Sequence, residues 1–351
     1  MHDDVVARAR EAGVRQVGLQ FTDVLGVTKN VAIPVDLLPR ALDGDVLFDG
    51  SSIEGFARVE EADMFLLPDP ATFVLLPWAS GAPVARLICD IRRPDGSAYA
   101  GCPRTALKRA LGHAQQAGFT VQVAPEVEFF LFEHDRHGRA TTRTADQAGY
   151  FDLSPVDAGE DVRQEIVAVL EQMGMPVEAS HHEVSPGQHE IDLGFQDALT
   201  AADHLTVLKT VVREVARRAG LHATFMPKPV AGINGSGLHL HCFLQQGGQN
   251  AFYDPAHPDT VSAVGRHFLA GLIHHARGLS LVTNPLVNSY KRLVPGYEAP
   301  IYIAWSSGSR SPMIRLASGR GPLTRLELRS PDPSCNPYLA LAAMIRAGLD
   351  G

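Results

Sequence analysis

Four cysteines are all this chain carries, Cys89, Cys102, Cys242 and Cys335, far apart and with no CxxC pair. That scarcity excludes a disulfide framework or zinc ribbon and fits core thiols in a reducing cytoplasm. No run of about 18 apolar residues occurs, so no membrane-spanning helix is expected. The N-terminus, MHDDVVARAREAG, is charged and lacks the apolar core of about 7–15 residues that an export signal needs. Lysine-rich runs are missing too, and 31 Lys and Arg against 39 Asp and Glu leave a formal charge of −8. That balance disfavours nucleic acid and anionic membranes as partners. Internal repeats and low-complexity segments are absent as well. A cytoplasmic globular protein is the expectation.

Against those absences stand 351 residues that are 45% apolar, more than one hydrophobic core usually holds, so two domains are expected. A short helix is predicted over 3–12 with Gly13 as its stop, followed by a strand in which Val17, Leu19 and Phe21 alternate. Turn chemistry at 22–26 leads into Val27, Val31 and Ile33 and predicts a hairpin, with further strands at 73–78 and 85–91. The polar turn Arg93-Pro94-Asp95-Gly96 closes this sheet-rich segment, and Pro103 opens a helix with Ala106, Leu107, Ala110, Leu111 and Ala114 along one stripe. A boundary near residue 100 divides the chain into 1–100 and 101–351. Helices are expected around 160–173, 201–219, 260–278 and 337–349, and strands at 119–133, 188–195, 236–244, 300–305 and 323–329, which reads as α+β.

Charged residues recur at strand spacing inside this apolar text. In PEVEFFLF, residues 125–132, Glu126 and Glu128 share one face and Val127, Phe129 and Leu131 the other, which sets the two acids roughly 6–7 Å apart. Like charges on an apolar strand need a counter-charge, which two adjacent divalent ions would supply; two solvated acids on an edge strand are the plainer reading. His239 and His241 repeat the spacing after NGSG, whose glycines permit close backbone approach. One imidazole would ligate a metal while its neighbour donates to phosphate, or a loop simply leads into two satisfied histidines. Glu183 and Glu190 bracket a Pro-Gly turn that would face both carboxylates one way, or rim an ordinary hairpin. Residues 288–329 hold Arg292, Glu298, Arg310, Arg315, Glu327 and Arg329 in a stretch that also reads as core-forming strands. Guanidinium groups at that density suit phosphate or carboxylate. There Arg325, Glu327 and Arg329 alternate with Leu326 and Leu328, a surface salt-bridge ladder if taken alone. Four strands repeating one pattern make a shared polar cavity the better account.

The segments VLFDGSSIEGF, PEVEFFLF, HHEVSPGQHEIDLG, TFMPKPVAGINGSGLHLH, NSYKRLVPGYEAP and LRSPDPSCNPYLALAAMIRAGLDG occur in the order in which glutamine synthetases carry them. The whole chain resembles that family. The resemblance implies a small β-grasp-like N-terminal domain and a catalytic domain whose curved antiparallel sheet is flanked by helices. It implies that ATP phosphorylates the γ-carboxylate of glutamate and that ammonia displaces the phosphate, with two or more Mg²⁺ or Mn²⁺ ions per site. Carried over by position, Glu128, Glu183 and Glu190 resemble ligands of one metal, and Glu126, His239 and Glu327 those of the second. Arg310 and Arg315 resemble arginines that grip the phosphates, Arg310 at the transition state, and His241 resembles a histidine near the ATP phosphates. Asn234, Gly235, Arg292 and Arg329 resemble the glutamate contacts. Asp49 resembles the aspartate that binds ammonium and removes its proton, assisted by Tyr150, Ser52 and Glu183. Glu298 resembles the flap residue that shields the acyl phosphate from water. In the family Asp49 serves the neighbouring subunit's site, so a homo-oligomer of two stacked hexamers is implied.

The family pattern is not followed everywhere. By the resemblance the chain is shortened after LDG, where related bacterial enzymes continue with a mostly helical segment that ties rings together and carries the tyrosine used in adenylylation. SSGSR, residues 306–310, lacks the commoner Asn before its arginine, and Arg58 resembles a feedback-inhibition arginine or is an exposed loop arginine. A γ-glutamyl-polyamine ligase is one alternative activity, although Asp49, Ser52 and Tyr150 of the ammonium pocket are all present. A non-catalytic structural or regulator-binding member of the fold is the other.

Overall fold

Period-2 apolar patterning shapes the first of two units, Met1–Arg109, and a longer alternation of strands and helices the second, Ala110–Gly351. The computed structural model describes all residues except Met1, Glu54, 57–61, Ser80, 258–260 and 318–320, so Arg58 lies outside the described residues. In the first unit α1 (His2–Glu11) has Asp3 and Asp4 in its first turn and Arg8 and Arg10 in its last, matching the helix dipole. β1 (Gln16–Thr22) and β2 (Thr28–Pro34) form the expected hairpin, its turn held by Asp23 Oδ1 accepting from the Val27 amide at 2.8 Å. Then come α2 (Leu38–Leu42), β3 (Val46–Asp49), β4 (Asp63–Pro68), β5 (Val74–Leu75) and β6 (Val84–Arg92). The sheet order is β2-β1-β6-β4-β3 with β5 beside β6, and β1 runs parallel to β6. Val17, Leu19, Leu66, Leu87 and Ile91 are buried together with Leu38 and Leu42. The strand expected at 73–78 shrinks to two residues because Pro70–Thr72 makes a 3-10 turn and Pro77 has no N–H for a ladder.

α3 (Pro103–Gln116) leads into β7 (Thr120–Glu133), the spine of a ten-stranded sheet. There follow α4 (Glu160–Gln172), β8 (Val177–His182), β9 (Gln188–Leu193), β10 (Gln196–Asp197), α5 (Ala198–Arg218), β11 (Leu221–Thr224), β12 (Leu238–Gln246) and β13 (Gln249–Asn250). The rest is α6 (Ala263–His274), α7 (Ala276–Thr283), α8 (Val287–Arg292), β14 (Tyr302–Ser306), β15 (Pro312–Ala317), β16 (Arg325–Leu328) and α9 (Pro337–Asp350). The main order is β14-β15-β16-β12-β7-β9-β8, antiparallel throughout except for the parallel pair β14 and β15. Asp197 caps α5 by accepting from the Leu199 and Thr200 amides, both at 3.1 Å, and Asn336 caps α9 ahead of Pro337.

Two expectations change. β7 is a central strand, paired with β12 on one side and β9 on the other, so Glu126 and Glu128 are not edge acids. The start of the arginine-rich stretch is the helix α8 rather than strand, its first turn held by Ser289 Oγ accepting from the Leu286 amide at 3.2 Å. Among the described residues no helix is long and apolar enough to cross a membrane.

Candidate active site

Strand register assembles the site. On one face of the sheet Glu126 stands beside His239 of β12 and Asp192 of β9, Glu128 beside Glu190, and His241 beside Glu327 of β16. These side chains reach one another. Glu126 bonds both imidazoles, Oε2 to His239 Nδ1 at 3.0 Å and Oε1 to His241 Nε2 at 2.6 Å. Arg325 donates through its Nε to His241 Nδ1 at 3.2 Å, and because arginine only donates, the His241 proton lies on Nε2 and points at Glu126. His239 Nε2 lies 3.8 Å from Glu128 Oε1, and its Nδ1 lies 3.9 Å from Glu327 Oε1. Glu128 Oε2 accepts from the Gly237 amide and the Gln188 side chain, both at 2.9 Å, which leaves Oε1 turned toward the histidine. A Cβ on Gly237 would come 2.5 Å from Arg292 Nη2 and 2.9 Å from His239 Nε2, so a side chain there would have to displace them.

A cavity of about 280 Å³ opens over this wall, and its lining is drawn from residues 126–329. Three groups along this wall bring ligand atoms within 4.8 Å of one another: Glu126 with His239 and Glu327, Glu128 with Glu190 and His239, and Glu190 with Glu183 and His181; of these residues Glu327 alone lies behind the cavity's lining, fully buried. The first is the trio carried over for one metal. Glu128, Glu183 and Glu190 also line the cavity, but Glu190 is shared between two groups and His181 stands between it and Glu183, at 3.2 Å and 3.6 Å.

Electrostatics splits the wall in two. Glu327 is fully buried between the Arg315 and Arg329 guanidinium groups. Burial alone would raise its pKa, but His239, His241 and Arg329 outweigh that and hold it below the usual carboxylate range. Glu126 is likewise held far down by its two histidines against the opposing pull of burial. On the β9 side of the wall the sign reverses. Burial and the charge of Glu128 push Glu183 up to about 8 and Glu190 well above its ordinary value. Burial and Glu126 push Asp192 up to about 7, and its Oδ1 is buried with no hydrogen-bond partner among the described residues. Oxygen-rich donors with a few imidazoles, crowded beyond their own counter-charges, suit hard divalent cations such as Mg²⁺ or Mn²⁺.

The remaining expected residues fall around this wall. Arg292 is buried and its guanidinium spans three carbonyls, Nη1 to Ser330 and Pro331 at 3.0 and 3.2 Å and Nη2 to Arg329 at 3.1 Å. Arg329 donates to the Arg310 carbonyl at 3.1 Å and the Glu298 carbonyl at 3.5 Å, tying together two loops over the cavity. Glu298 itself sits at φ +57 two residues after Gly296 at φ +91, and Tyr297 before it lies on the Lys228 ammonium, 3.8 Å from the ring centre. The Asn234 amide donates to Ser185 Oγ at 2.8 Å, and the Gly235 carbonyl accepts from Gln188 at 3.1 Å. Tyr150 lines the cavity, stacked on Phe151 with centroids 3.9 Å apart and edge-on to His181 at 5.4 Å; its phenol is raised by burial and by Glu183. Arg310 is exposed at the cavity's rim. Asp49 and Ser52 belong to the first unit, where Asp49 Oδ1 accepts from the Ser51 amide at 2.8 Å and Oδ2 from Ser52 Oγ at 3.0 Å; the Ser51 hydroxyl and amide lead the bonds that hold its pKa down.

Sequence reasoning missed His181, Asp192 and Gln188. His181 and Glu183 are two apart, as are Glu190 and Asp192, so the spacing used for Glu126 and Glu128 carried their signal.

The family model "Glutamine synthetase, catalytic domain" matches residues 100–351, and "Glutamine synthetase, beta-Grasp domain" matches 13–94. A glutamine synthetase of Clostridium saccharobutylicum is 54% identical over 350 residues, covering 99% of this chain and 79% of its own length. One of Staphylococcus aureus is 54% identical over 351 residues with the same coverage. Among solved structures, Plasmodium falciparum glutamine synthetase superposes with a TM-score of 0.91 at 31% identity, over 100% of this chain and 75% of its own. A GmaS/ADP complex superposes with a TM-score of 0.90 at 35% identity, over 99% and 80%.

Proposed function

The chain belongs to the glutamine synthetase family, and on that premise we propose how its cavity makes glutamine from glutamate, ammonia and ATP. Transfer of the ATP γ-phosphoryl to the glutamate γ-carboxylate gives a γ-glutamyl phosphate, and ammonia then displaces phosphate. The observation that carries this reading is the divided wall of acids and histidines, bordered by arginines, around one cavity.

Glu126, His239 and Glu327 hold one divalent cation in this reading, and Glu128, Glu183 and Glu190 another. The cations, Mg²⁺ or Mn²⁺, supply charge neutralisation to the phosphoryl oxygens. Arg310 and Arg315 bind the transferring phosphate and His241 the nucleotide's phosphates, with Arg325 fixing the His241 tautomer. Arg292 and Arg329 bind glutamate together with Asn234 and Gly235; the three carbonyls on Arg292 make its part largely that of holding the loop. Asp49 attracts ammonium and takes its proton, with Ser52, Tyr150 and Glu183 completing that pocket, which an anion is needed to form. Glu298 closes over the acyl phosphate and keeps water out. Asp49 and Ser52 act in the site of an adjoining copy, so the active form is a homo-oligomer. Four buried free cysteines, three with pKa values raised by burial, agree with a cytoplasmic location.

Purified protein given glutamate, ATP and Mg²⁺ with hydroxylamine is expected to form γ-glutamyl hydroxamate readily, and with a polyamine in its place to form adduct poorly. The opposite ranking would overturn the choice of amine, and no product with either would overturn the reading as a whole.

A further inference from the structure

Behind the β8–β9 hairpin, on the face turned away from the cavity, lies a second polar cluster. His182 and His189 are register partners with ring centroids 5.0 Å apart, and both are fully buried. Each directly precedes a wall acid, Glu183 or Glu190, so their side chains occupy the opposite face of the hairpin. Arg163 of α4, also buried, sends Nη1 to Asp157 Oδ2 at 2.6 Å and to His189 Nδ1 at 2.9 Å. Arginine has no acceptor, so His189 Nδ1 must accept and the ring proton lies on Nε2. His182 is fixed the other way, donating from Nδ1 to the Glu183 carbonyl at 2.7 Å. Asp157 Oδ1 takes the Gly159 amide at 2.8 Å, and Asp146 Oδ1 takes the Gly187 amide of the hairpin turn at 2.9 Å. Gly159 lets the start of α4 close over the cluster, since a side chain there would come 2.6 Å from His189 Nε2.

Asp157, His182 and His189 bring ligand atoms within 4.8 Å of one another. A cation there would nonetheless meet a guanidinium already bonded to two of the three, and a protonated Nε2 on His189. The cluster is therefore organised around Arg163 as its cation. Neither Nε2 has a hydrogen-bond partner among the described residues, so His189 is held by its Arg163 bond and packing, and His182 by its bond to the Glu183 carbonyl, with Asp146 Oδ1 3.5 Å from its Nε2.

We infer that Arg163 is a positioning residue for the cation wall: by gripping Asp157 and His189 together it fixes β9, and with it the direction in which Glu190 and its hairpin neighbour Glu183 enter the cavity. This rests on reading that cavity as a divalent-cation site. Partners one layer behind metal ligands typically change metal affinity by about 10–100-fold when removed.

The test is titration with Mn²⁺ alone, following free Mn²⁺ by electron paramagnetic resonance, on the full chain and four variants. Glu190→Gln is the control for the cation reading itself. Arg163→Gln should weaken Mn²⁺ binding by about 10-fold or more, and raise the Mn²⁺ needed for half-maximal activity while excess Mn²⁺ restores most of kcat. Arg163→Lys, which keeps the charge beside Asp157 but not the fork to His189, should recover part of the affinity. The double variant Asp157→Asn with Arg163→Gln removes both buried charges at once, so it keeps the fold while remaining weak for Mn²⁺. A merely structural role would lower the melting temperature without moving the Mn²⁺ affinity of the folded protein. Wild-type Mn²⁺ affinity in folded Arg163→Gln or in the double variant overturns the inference, and so does a double variant that does not fold. Unchanged Mn²⁺ binding in Glu190→Gln would instead bring down the cation reading, and the inference with it.

Discussion

The two sides of the cavity wall are built from the same residue types and behave oppositely. Glu126 and Glu327 are surrounded by His239, His241, Arg315 and Arg329 and stay ionised without help. Glu183, Glu190 and Asp192 face one another and Glu128 with few cations near, and burial with those like charges raises all three above the usual carboxylate range. Folding has completed one side internally and left the other dependent on something that binds. The difference arises from register, because β12 brings His239 beside Glu126, whereas β9 brings Asp192 beside Glu126 and Glu190 beside Glu128.

The sharpest way to break this contrast is to remove an acid on each side. Glu128→Gln, at the junction, should abolish hydroxamate formation and weaken Mn²⁺ binding while far-ultraviolet circular dichroism stays unchanged. Turnover at the wild-type level would remove the metal assignment. Glu327→Ala strands the buried Arg329 guanidinium and the partly buried Arg315 and should cost about 3–5 kcal/mol of stability in a denaturant titration. Glu190→Gln, by contrast, should leave the metal-free protein as stable or more so, because it replaces a carboxyl that already resists ionisation. Equal losses for the two would erase the distinction.

Acidity offers a gentler probe. A carboxyl whose folded pKa lies above its unfolded value favours the folded state while protonated, and that stability is lost as pH rises between the two. For Glu183 the upper end is about 8 and for Asp192 about 7. The melting temperature of the metal-free protein should therefore carry a falling contribution from about pH 5 to 8. Mn²⁺ affinity should climb over the same window as bound protons are displaced. Flat profiles of both would contradict the split. The smallest effect is expected from Asp192→Asn, about tenfold or less in Mn²⁺ affinity, measured by the same titration.

Much of this was legible in the chain. Alternation placed Glu126 with Glu128 and His239 with His241, and β7, β9, β12 and β16 lie within a few residues of their expected ranges. What alternation could not supply was which strand neighbours which. β7 reads equally well as an edge or a spine until β9 and β12 are laid beside it, and pairing across more than a hundred residues leaves no local mark. Arg163 escaped notice for a related reason: it sits among ordinary helical residues, and its partners Asp157 and His189 belong to a loop and a strand. The helix at 287–292 lies in a gap between the expected elements, and its turn is held by the Leu286 amide donating to Ser289 Oγ.

Gln188 holds the wall and the glycine loop with a single amide group, donating from Nε2 to both Glu128 and the Gly235 carbonyl. Whatever displaces one of those acceptors must shift the other, so under the proposed reading cation and glutamate share a thermodynamic linkage. The factor by which Mn²⁺ tightens glutamate is then the factor by which glutamate tightens Mn²⁺, and shortening this one side chain would uncouple the two without touching either ligand.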